Sequence, residues 1–183
     1  MLISGYVARY AVEAIGKLGV DAKLVLPRLC EIVKEQDVLQ RANVGTKVAS
    51  GSHISLGLAV MNVLKGFGPD AAGAIGVLKE IIEARKVGPF SFASSAADVL
   101  VGIGPPAQPA LVALMRSDNP WARISAAGAL SRIRPVSKEV VDVLIAALDD
   151  PEARRAATEA LGNLGPEAAA ATGALRQGGG EGG

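Results

Sequence analysis

Ala129-Leu130-Ser131-Arg132-Ile133-Arg134-Pro135 is one of five related stretches that recur along this chain of 183 residues. The other four close at Val20, Pro69, Pro105 and Pro166, and each opens with a small apolar residue followed by an aliphatic residue. Four of the five end in Pro, and four carry Gly immediately before the closing position. A helix ending that recurs in this way is the sequence signature of a repeat protein.

The closing positions define the repeat length. The last two intervals, from Pro105 to Pro135 and from Pro135 to Pro166, are 30 and 31 residues, which fits one pair of helices per unit. Positions nine, five and two residues before each closing position are apolar, at spacings of four and three, so they share one face of a first helix. We predict that this face is buried. The residues nine before are Ala11, Val60, Ala96, Ala126 and Ala157, and those two before are Leu18, Phe67, Ile103, Ile133 and Leu164.

A second helix is predicted after each closing position. Its buried leucines lie nine residues downstream, or six in the third unit, and are Leu29, Leu78, Leu111, Leu144 and Leu175. The Gly-Pro pairs between the two helices end the first one, because Gly accepts a left-handed backbone and Pro cannot continue a helix. The Gly-x-Gly pairs at 66–68 and 102–104 are therefore interpreted as helix ends and not as phosphate-binding loops.

The most regular unit, Asp-Asp-Pro-Glu-Ala-Arg-Arg-Ala-Ala-Thr-Glu-Ala-Leu-Gly-Asn-Leu-Gly-Pro from Asp149 to Pro166, resembles the HEAT-like repeats of the bilin-lyase type. The resemblance implies an all-α fold, a right-handed α-solenoid of about five helix–turn–helix HEAT-like repeats. It also implies that the second helices line the inner, concave surface. The first three units depart from the pattern, because Ala8, Gly57 and Ala93 stand where later units carry Arg.

We predict a single repeat domain over residues 1–177. Its units are expected at about 4–36, 52–86, 89–117, 119–149 and 151–177, with an insertion at 37–51 that is partly loop and a flexible Gly-rich tail at 178–183.

Two junctions between units carry the same polar pattern. Asp118 precedes Arg123 by five residues, and Asp149 precedes Arg154 by five. We predict that each Arg reaches a carboxylate or a carbonyl across the junction and that these four residues are structural. A ligand site is the alternative. An Asp or Asn at each junction is expected to cap the next helix, with Pro in its first turn.

Composition argues against several functions. Cys30 and His53 are the only residues of their types, so the chain cannot build a Cys- or His-based metal site, and we expect no metal and no cofactor. The net charge is +1, and between Arg116 and Arg155 seven basic residues are interleaved with six acidic ones, which argues against nucleic acid as a partner. We find no signal peptide and no run of about 20 apolar residues, and expect a cytoplasmic location.

These patterns favour a non-enzymatic module that binds another protein on its concave face. The candidate contacts are the outward residues of the second helices, Arg28, Glu31, Lys34, Lys79, Glu83 and Arg116. A bilin lyase or other tetrapyrrole-handling protein is the alternative that the resemblance implies, and a structural segment of a larger repeat protein is a third. Neither end shows a polar terminal repeat, so self-association through an uncapped end is also expected.

Overall fold

A computed structural model describes residues 2–42, 51–84 and 92–169. Within these ranges the chain forms nine α-helices and no β-strand. The helices are α1 (Leu2–Lys17), α2 (Ala22–Ala42), α3 (Gly51–Phe67), α4 (Ile75–Glu83), α5 (Phe92–Ile103), α6 (Gln108–Met115), α7 (Pro120–Leu130), α8 (Lys138–Ala146) and α9 (Arg154–Leu164). Short 3-10 helices at Gly68–Ala74, Pro105–Ala107 and Ala147–Asp149 complete the described elements.

The glycines before the closing positions end four first helices as predicted. Gly19, Gly68, Gly104 and Gly165 all have positive φ, between 51° and 81°, which a residue with a Cβ adopts only with strain. At each of these glycines the chain reverses direction, and the second half of the unit follows. The fourth unit has Arg134 in place of Gly, and its Arg134–Pro135 peptide bond is cis.

The helices are arranged in a stacked row. Each first helix packs on the next first helix, so that α1, α3, α5, α7 and α9 form one layer. Each second helix contacts the next second helix in a parallel layer of α2, α4, α6 and α8, and it also packs against the first helix that follows it. The architecture is an all-α solenoid in which each unit buries its apolar side against its neighbours.

The core lies between the two layers, at the positions that the repeat pattern predicts. Val60, Ala96, Ala126 and Ala157 are fully buried, and their small size lets the adjacent first helices approach closely. Predicted leucines on the described second helices are buried too, namely Leu29, Leu78, Leu111 and Leu144. Dispersion contacts and removal of apolar surface from water at these sites hold successive units together.

The prediction for the first unit is wrong in its register. Ala11 is exposed and the Leu18 side chain is 76% exposed, whereas Val12 is the buried residue of α1 at 4%. In later units the predicted face is covered by the helices of the unit before. No described helix occupies that place beside α1, so only the side toward α3 is buried.

The predicted insertion at 37–51 is only partly described. The second helix of unit one continues through Ala42, and α3 begins at Gly51, so residues 37–42 are helical. The loop predicted within the insertion falls on residues 43–50, outside the described residues, as do Leu175 and the glycine-rich tail.

Candidate functional site

The outward side of the second helices is rich in charge. On α2, Leu29 and Val33 point into the core, so the helical period leaves Arg28, Glu31 and Lys34 exposed to solvent. The same alternation exposes charged residues on α4 and α8 and at the C-terminal end of α6. We refer to this solvent-facing side of α2, α4, α6 and α8 as the second-helix surface.

Ion pairs connect the first two units across this surface. The Arg28 Nη1 atom donates to Glu31 Oε2 at 2.8 Å on the same helix, and Glu35 lies 4.0 Å away. The Glu31 hydrogen bond and charge raise the pKa of Arg28, which stays protonated. Lys34 Nζ crosses to α4 and lies 2.9 Å from Glu80 Oε2. This last pair links the outer edges of two consecutive second helices.

A similar connection joins the third and fourth units. Arg116, at the end of α6, lies 3.5 Å from Glu139 Oε1 on α8. A cleft of about 380 Å³ opens beside this pair, and Met115 and Val143 contribute apolar lining. A larger cleft of about 600 Å³ lies near the turn between α1 and α2, away from the second-helix surface.

The structure places all six predicted contact residues on this surface, and each has an acidic or basic neighbour in the same chain. Lys79 and Glu83, the remaining two, lie 3.9 Å apart on α4. Sequence reasoning missed Glu80 and Glu139, the partners of Lys34 and Arg116 on neighbouring helices. No spacing signal could have found them, because the pairs join separate helices whose side-by-side alignment depends on tertiary packing.

The charges of the second-helix surface balance. Among the described side chains of these helices and their C-terminal caps, six accessible bases accompany six accessible acids: Lys23, Arg28, Lys34, Lys79, Arg116 and Lys138 with Glu31, Glu35, Glu80, Glu83, Glu139 and Asp142. A phosphate backbone is bound by an excess of positive charge along a groove. The described surface has no such excess.

Arg123, on α7, connects the fourth and fifth units. Its Nε lies 2.5 Å from Asp150 Oδ2, its Nη2 lies 3.0 Å from Glu152 Oε2, and its Nη1 donates to the Ser117 carbonyl at 2.9 Å. Arg154 donates from Nε to the Leu148 carbonyl at 2.7 Å. The carboxylates that receive Arg123 are thus Asp150 and Glu152. Asp118 and Asp149, which precede the two arginines by five residues, are exposed and are not its partners.

The polar groups at these junctions also cap helices. Asn119 Oδ1 accepts the Trp121 amide at 3.0 Å at the start of α7, and Asn119 Nδ2 donates to the Glu83 carbonyl at 2.8 Å. At the next junction Asp150 Oδ1 accepts the Glu152 amide at 3.0 Å, in the turn before α9. Desolvation acts to raise the pKa of Asp150, but hydrogen bonds from Arg123 and the Glu152 amide prevail and lower it.

Comparison with protein families agrees with this geometry. Residues 78–162 match HEAT repeats, and residues 153–172 match the PBS lyase HEAT-like repeat. Residues 78–162 therefore contain HEAT repeats. The matched HEAT repeats run from α4 through α9, and the helices before them join the same stacked row by packing. Comparison with curated proteins gave no significant match.

Cys30 and His53, the single cysteine and histidine of the chain, lie on different helices. Cys30 is half-buried beside the core, and burial raises the pKa of its thiol, which disfavours the reactive thiolate. His53 lies in the first turn of α3. No group of three or more His, Cys, Asp or Glu side chains among the described residues could hold a metal ion. Over the same residues, no helix is both long enough and apolar enough to span a membrane.

Proposed function

We propose that this chain is a protein-interaction module, without catalytic activity, that binds another protein on its second-helix surface. HEAT-type solenoids present extended binding surfaces along a layer of helices. The observation that carries the proposal is the alignment of consecutive second helices into one surface, with Lys34–Glu80 and Arg116–Glu139 connecting neighbouring units. Arg28, Glu31, Lys34, Lys79, Glu83 and Arg116 are the proposed contacts.

The ion pairs on this surface would aid binding by holding long side chains in place. A Lys or Arg side chain that is not held in place loses rotamer freedom when it contacts a partner. This loss costs roughly 0.5–1.5 kcal/mol of binding free energy for each immobilised side chain. A side chain that is already held by an acidic neighbour has less freedom to lose. A partner that carries both positive and negative side chains fits such a surface, because each member of an ion pair can then contact a group of opposite charge on the partner.

Exchange of the two members of an ion pair tests the proposal. The variant Lys34→Glu/Glu80→Lys/Arg116→Glu/Glu139→Arg preserves the net charge and the intrachain pairs but reverses the polarity presented to a partner. The matched control is Arg155→Glu/Glu159→Arg on α9, where the two groups lie 3.5 Å apart and the Arg155 side chain is 91% exposed. A partner is first captured from the native source with the wild-type chain, identified and purified, and its affinity is then measured for each variant.

We expect the exchange on the second-helix surface to weaken binding at least tenfold and the control to leave it unchanged. Both variants are checked for the wild-type melting temperature, so that a loss of affinity is not a loss of folding. Equal affinity for wild type and both variants would refute this surface as the binding site.

A tetrapyrrole-handling activity, as in a bilin lyase, is the second candidate, and the match of residues 153–172 to the PBS lyase HEAT-like repeat favours it. The support is a likeness of repeat type, which by itself says little about chemistry. An absorbance spectrum of a bilin with and without the chain tests it. A shifted, intensified band supports tetrapyrrole binding, and an unchanged spectrum argues against it.

We further propose that the chain associates with itself through an uncovered end of the array. The alternative that the chain is a structural segment of a larger repeat protein would place neighbouring repeats against the same ends. A cytoplasmic location stays a prediction.

A further inference from the structure

The cleft of about 600 Å³ opens between the first two units, at the edge of the array where the first helices end. Its walls are the C-terminal half of α1, the turn into α2, the C-terminal half of α3 and the 3-10 helix that follows α3. Val20, Val63 and Phe67 contribute apolar lining. The volume falls within the roughly 300–1,000 Å³ that is usual for ligand sites in proteins. Every lining residue belongs to unit one or unit two, so the cleft is a feature of the junction between them.

Basic side chains of the protein itself lie across this edge at later junctions. Between units three and four, Arg132 Nη1 lies 2.5 Å from Asp98 Oδ1 on the preceding first helix. Between units two and three, the stem of Lys65 lies over Gly102, since a Cβ added at position 102 would meet Lys65 Cγ at 3.2 Å. A cation on an aliphatic stem therefore covers both of these junctions.

At the first junction, glycines stand at both of the positions that supply these basic side chains. By repeat position, Gly16 is the equivalent of Lys65 and Gly66 is the equivalent of Arg132. Both glycines line the cleft, and a Cβ added at position 66 would meet nothing within 4 Å. The cleft is open because neither position supplies a side chain to fill it. The later junctions thus indicate which chemical group fits the space.

The charges around the cleft favour a cation. Three carboxylates line it, those of Glu13, Asp21 and Asp70, against the single amine of Lys17. Arg9 neutralises one of the three, because its Nε lies 3.0 Å from Glu13 Oε1. Three carboxylates against two bases leave one negative charge in excess, which attracts positively charged groups. The exposed Asp70 side chain makes no hydrogen bond or ion pair with other described residues, so it is available to a ligand.

We propose that this cleft binds an arginine side chain of a partner protein, at a site separate from the second-helix surface. The guanidinium takes the place that Arg132 has in unit four and meets the carboxylates of the cleft, while its stem lies on Val63 and Phe67. A guanidinium forms paired hydrogen bonds with a carboxylate and is more weakly hydrated than an ammonium. The cleft is larger than one side chain, so the main chain beside the arginine also fits, and Lys17 supplies a donor for its carbonyl groups.

The test is an NMR titration of the full chain, labelled with ¹⁵N, with the capped peptide acetyl-Ala-Arg-Ala-amide. We expect saturable shifts of the amides of Gly16, Gly66 and Asp70. The same peptide with citrulline in place of arginine keeps the shape without the charge, and it should bind about tenfold or more weakly. Propylguanidine has the cation and a stem but no main chain, and it should also bind more weakly. Equal affinity for propylguanidine would assign the site to a free guanidine and overturn the assignment to a partner protein.

A variant that fills the cleft from within the chain gives a second measurement. Gly66→Arg supplies the side chain that Arg132 supplies in unit four, and it should abolish the shifts. Gly128→Arg is the matched control, because Gly128 is also an exposed helical glycine whose added Cβ has no neighbour within 4 Å, and it should bind the peptide like the wild type. Asp70→Asn should weaken binding about tenfold, since it removes the charge from a hydrogen-bond acceptor.

Circular dichroism of each variant checks that the helices remain. Absence of saturable shifts in the wild type, equal affinity for the arginine and citrulline peptides, or undiminished binding by Gly66→Arg would each overturn the proposal. The charge exchanges at Lys34–Glu80 and Arg116–Glu139 should leave peptide binding intact, so failure of this proposal is distinguishable from failure of the binding proposed for the second-helix surface.

Discussion

Arg123 Nε on α7 lies 2.5 Å from Asp150 Oδ2, in the segment that joins the fourth unit to the fifth. The Arg123 side chain is only 16% exposed, and its two other donors reach the Ser117 carbonyl and Glu152. A single guanidinium therefore joins the segment between α6 and α7 to the segment between α8 and α9. Its planar set of donors suits several acceptors at once, which a lysine could not do.

Arg123→Ala should lower the free energy of unfolding by about 2 kcal/mol, since hydrogen bonds to charged groups contribute roughly 1.5–3 kcal/mol. The substitution removes the guanidinium donor from Asp150 Oδ2 and from the Ser117 carbonyl. Urea denaturation followed by circular dichroism measures the change. Arg155→Ala is the control, because Arg155 is 91% exposed, and it should alter stability by less than about 0.5 kcal/mol. Equal effects of the two substitutions would contradict the structural role of Arg123.

The lowered pKa of Asp150 predicts acid sensitivity at this junction. Between that pKa and the ordinary value of 3.8, the unfolded chain binds more protons than the folded chain. The contribution of the ion pair is therefore complete above this window and is lost as the pH falls through the folded-state pKa. Asp150→Asn should be less stable than the wild type at pH 6, and the difference should shrink at pH 3.

The same comparison in an Arg123→Met background provides the control. Without the guanidinium, the substitution Asp150→Asn should lose most of its pH-dependent effect on stability, as a double-mutant cycle would report. The difference in free energy of unfolding between the wild type and Asp150→Asn is compared at pH 6 and pH 3. A constant difference would show that the ionised carboxylate does not stabilise the junction.

Gly104 and Gly128 provide a matched pair for backbone conformation. Gly104 follows α5 with φ +81° and ψ −142°, a backbone conformation that residues with a Cβ rarely adopt, so Gly104→Ala should destabilise the fold by about 1–3 kcal/mol through backbone strain. Gly128 lies within α7, and an added Cβ there has no neighbour within 4 Å. Gly128→Ala should stabilise the fold by about 0.5–1 kcal/mol, because alanine favours the helix. The melting temperature should fall for Gly104→Ala and rise for Gly128→Ala.

Gly57 on α3 makes room for the Phe92 ring of α5. A Cβ at position 57 would overlap the ring, and Phe92 is buried at 2% exposure, so it has no open space to move into. Gly57→Ala should destabilise the fold by about 1–3 kcal/mol through overpacking. Gly66→Ala on the same helix, where the new Cβ meets nothing within 4 Å, is the control and should not destabilise. Equal denaturation midpoints would contradict a tight contact between α3 and α5.

Much of the architecture was predictable because repetition reveals it. The Gly-Pro endings, the small residue nine positions earlier and the leucine of each second helix recur at intervals that one helix pair explains. Positions such as Ala96, Ala126 and Leu78 were predicted as core and are buried. The candidate contacts on the second-helix surface were predictable only as exposed helix positions, because local periodicity shows which side of a helix faces away from the core.

The sequence by itself determined the helices, their ends and the apolar face of each later unit, because these depend on backbone propensity and on contacts close along the chain. Tertiary structure alone decided that Arg123 meets Asp150 and not Asp118, and that Lys34 meets Glu80. It also decided that Ala11 is exposed although Ala126 at the same repeat position is buried. The physical reason is that burial and ion pairing depend on which helix lies alongside, and that neighbour is fixed by the stacking of units.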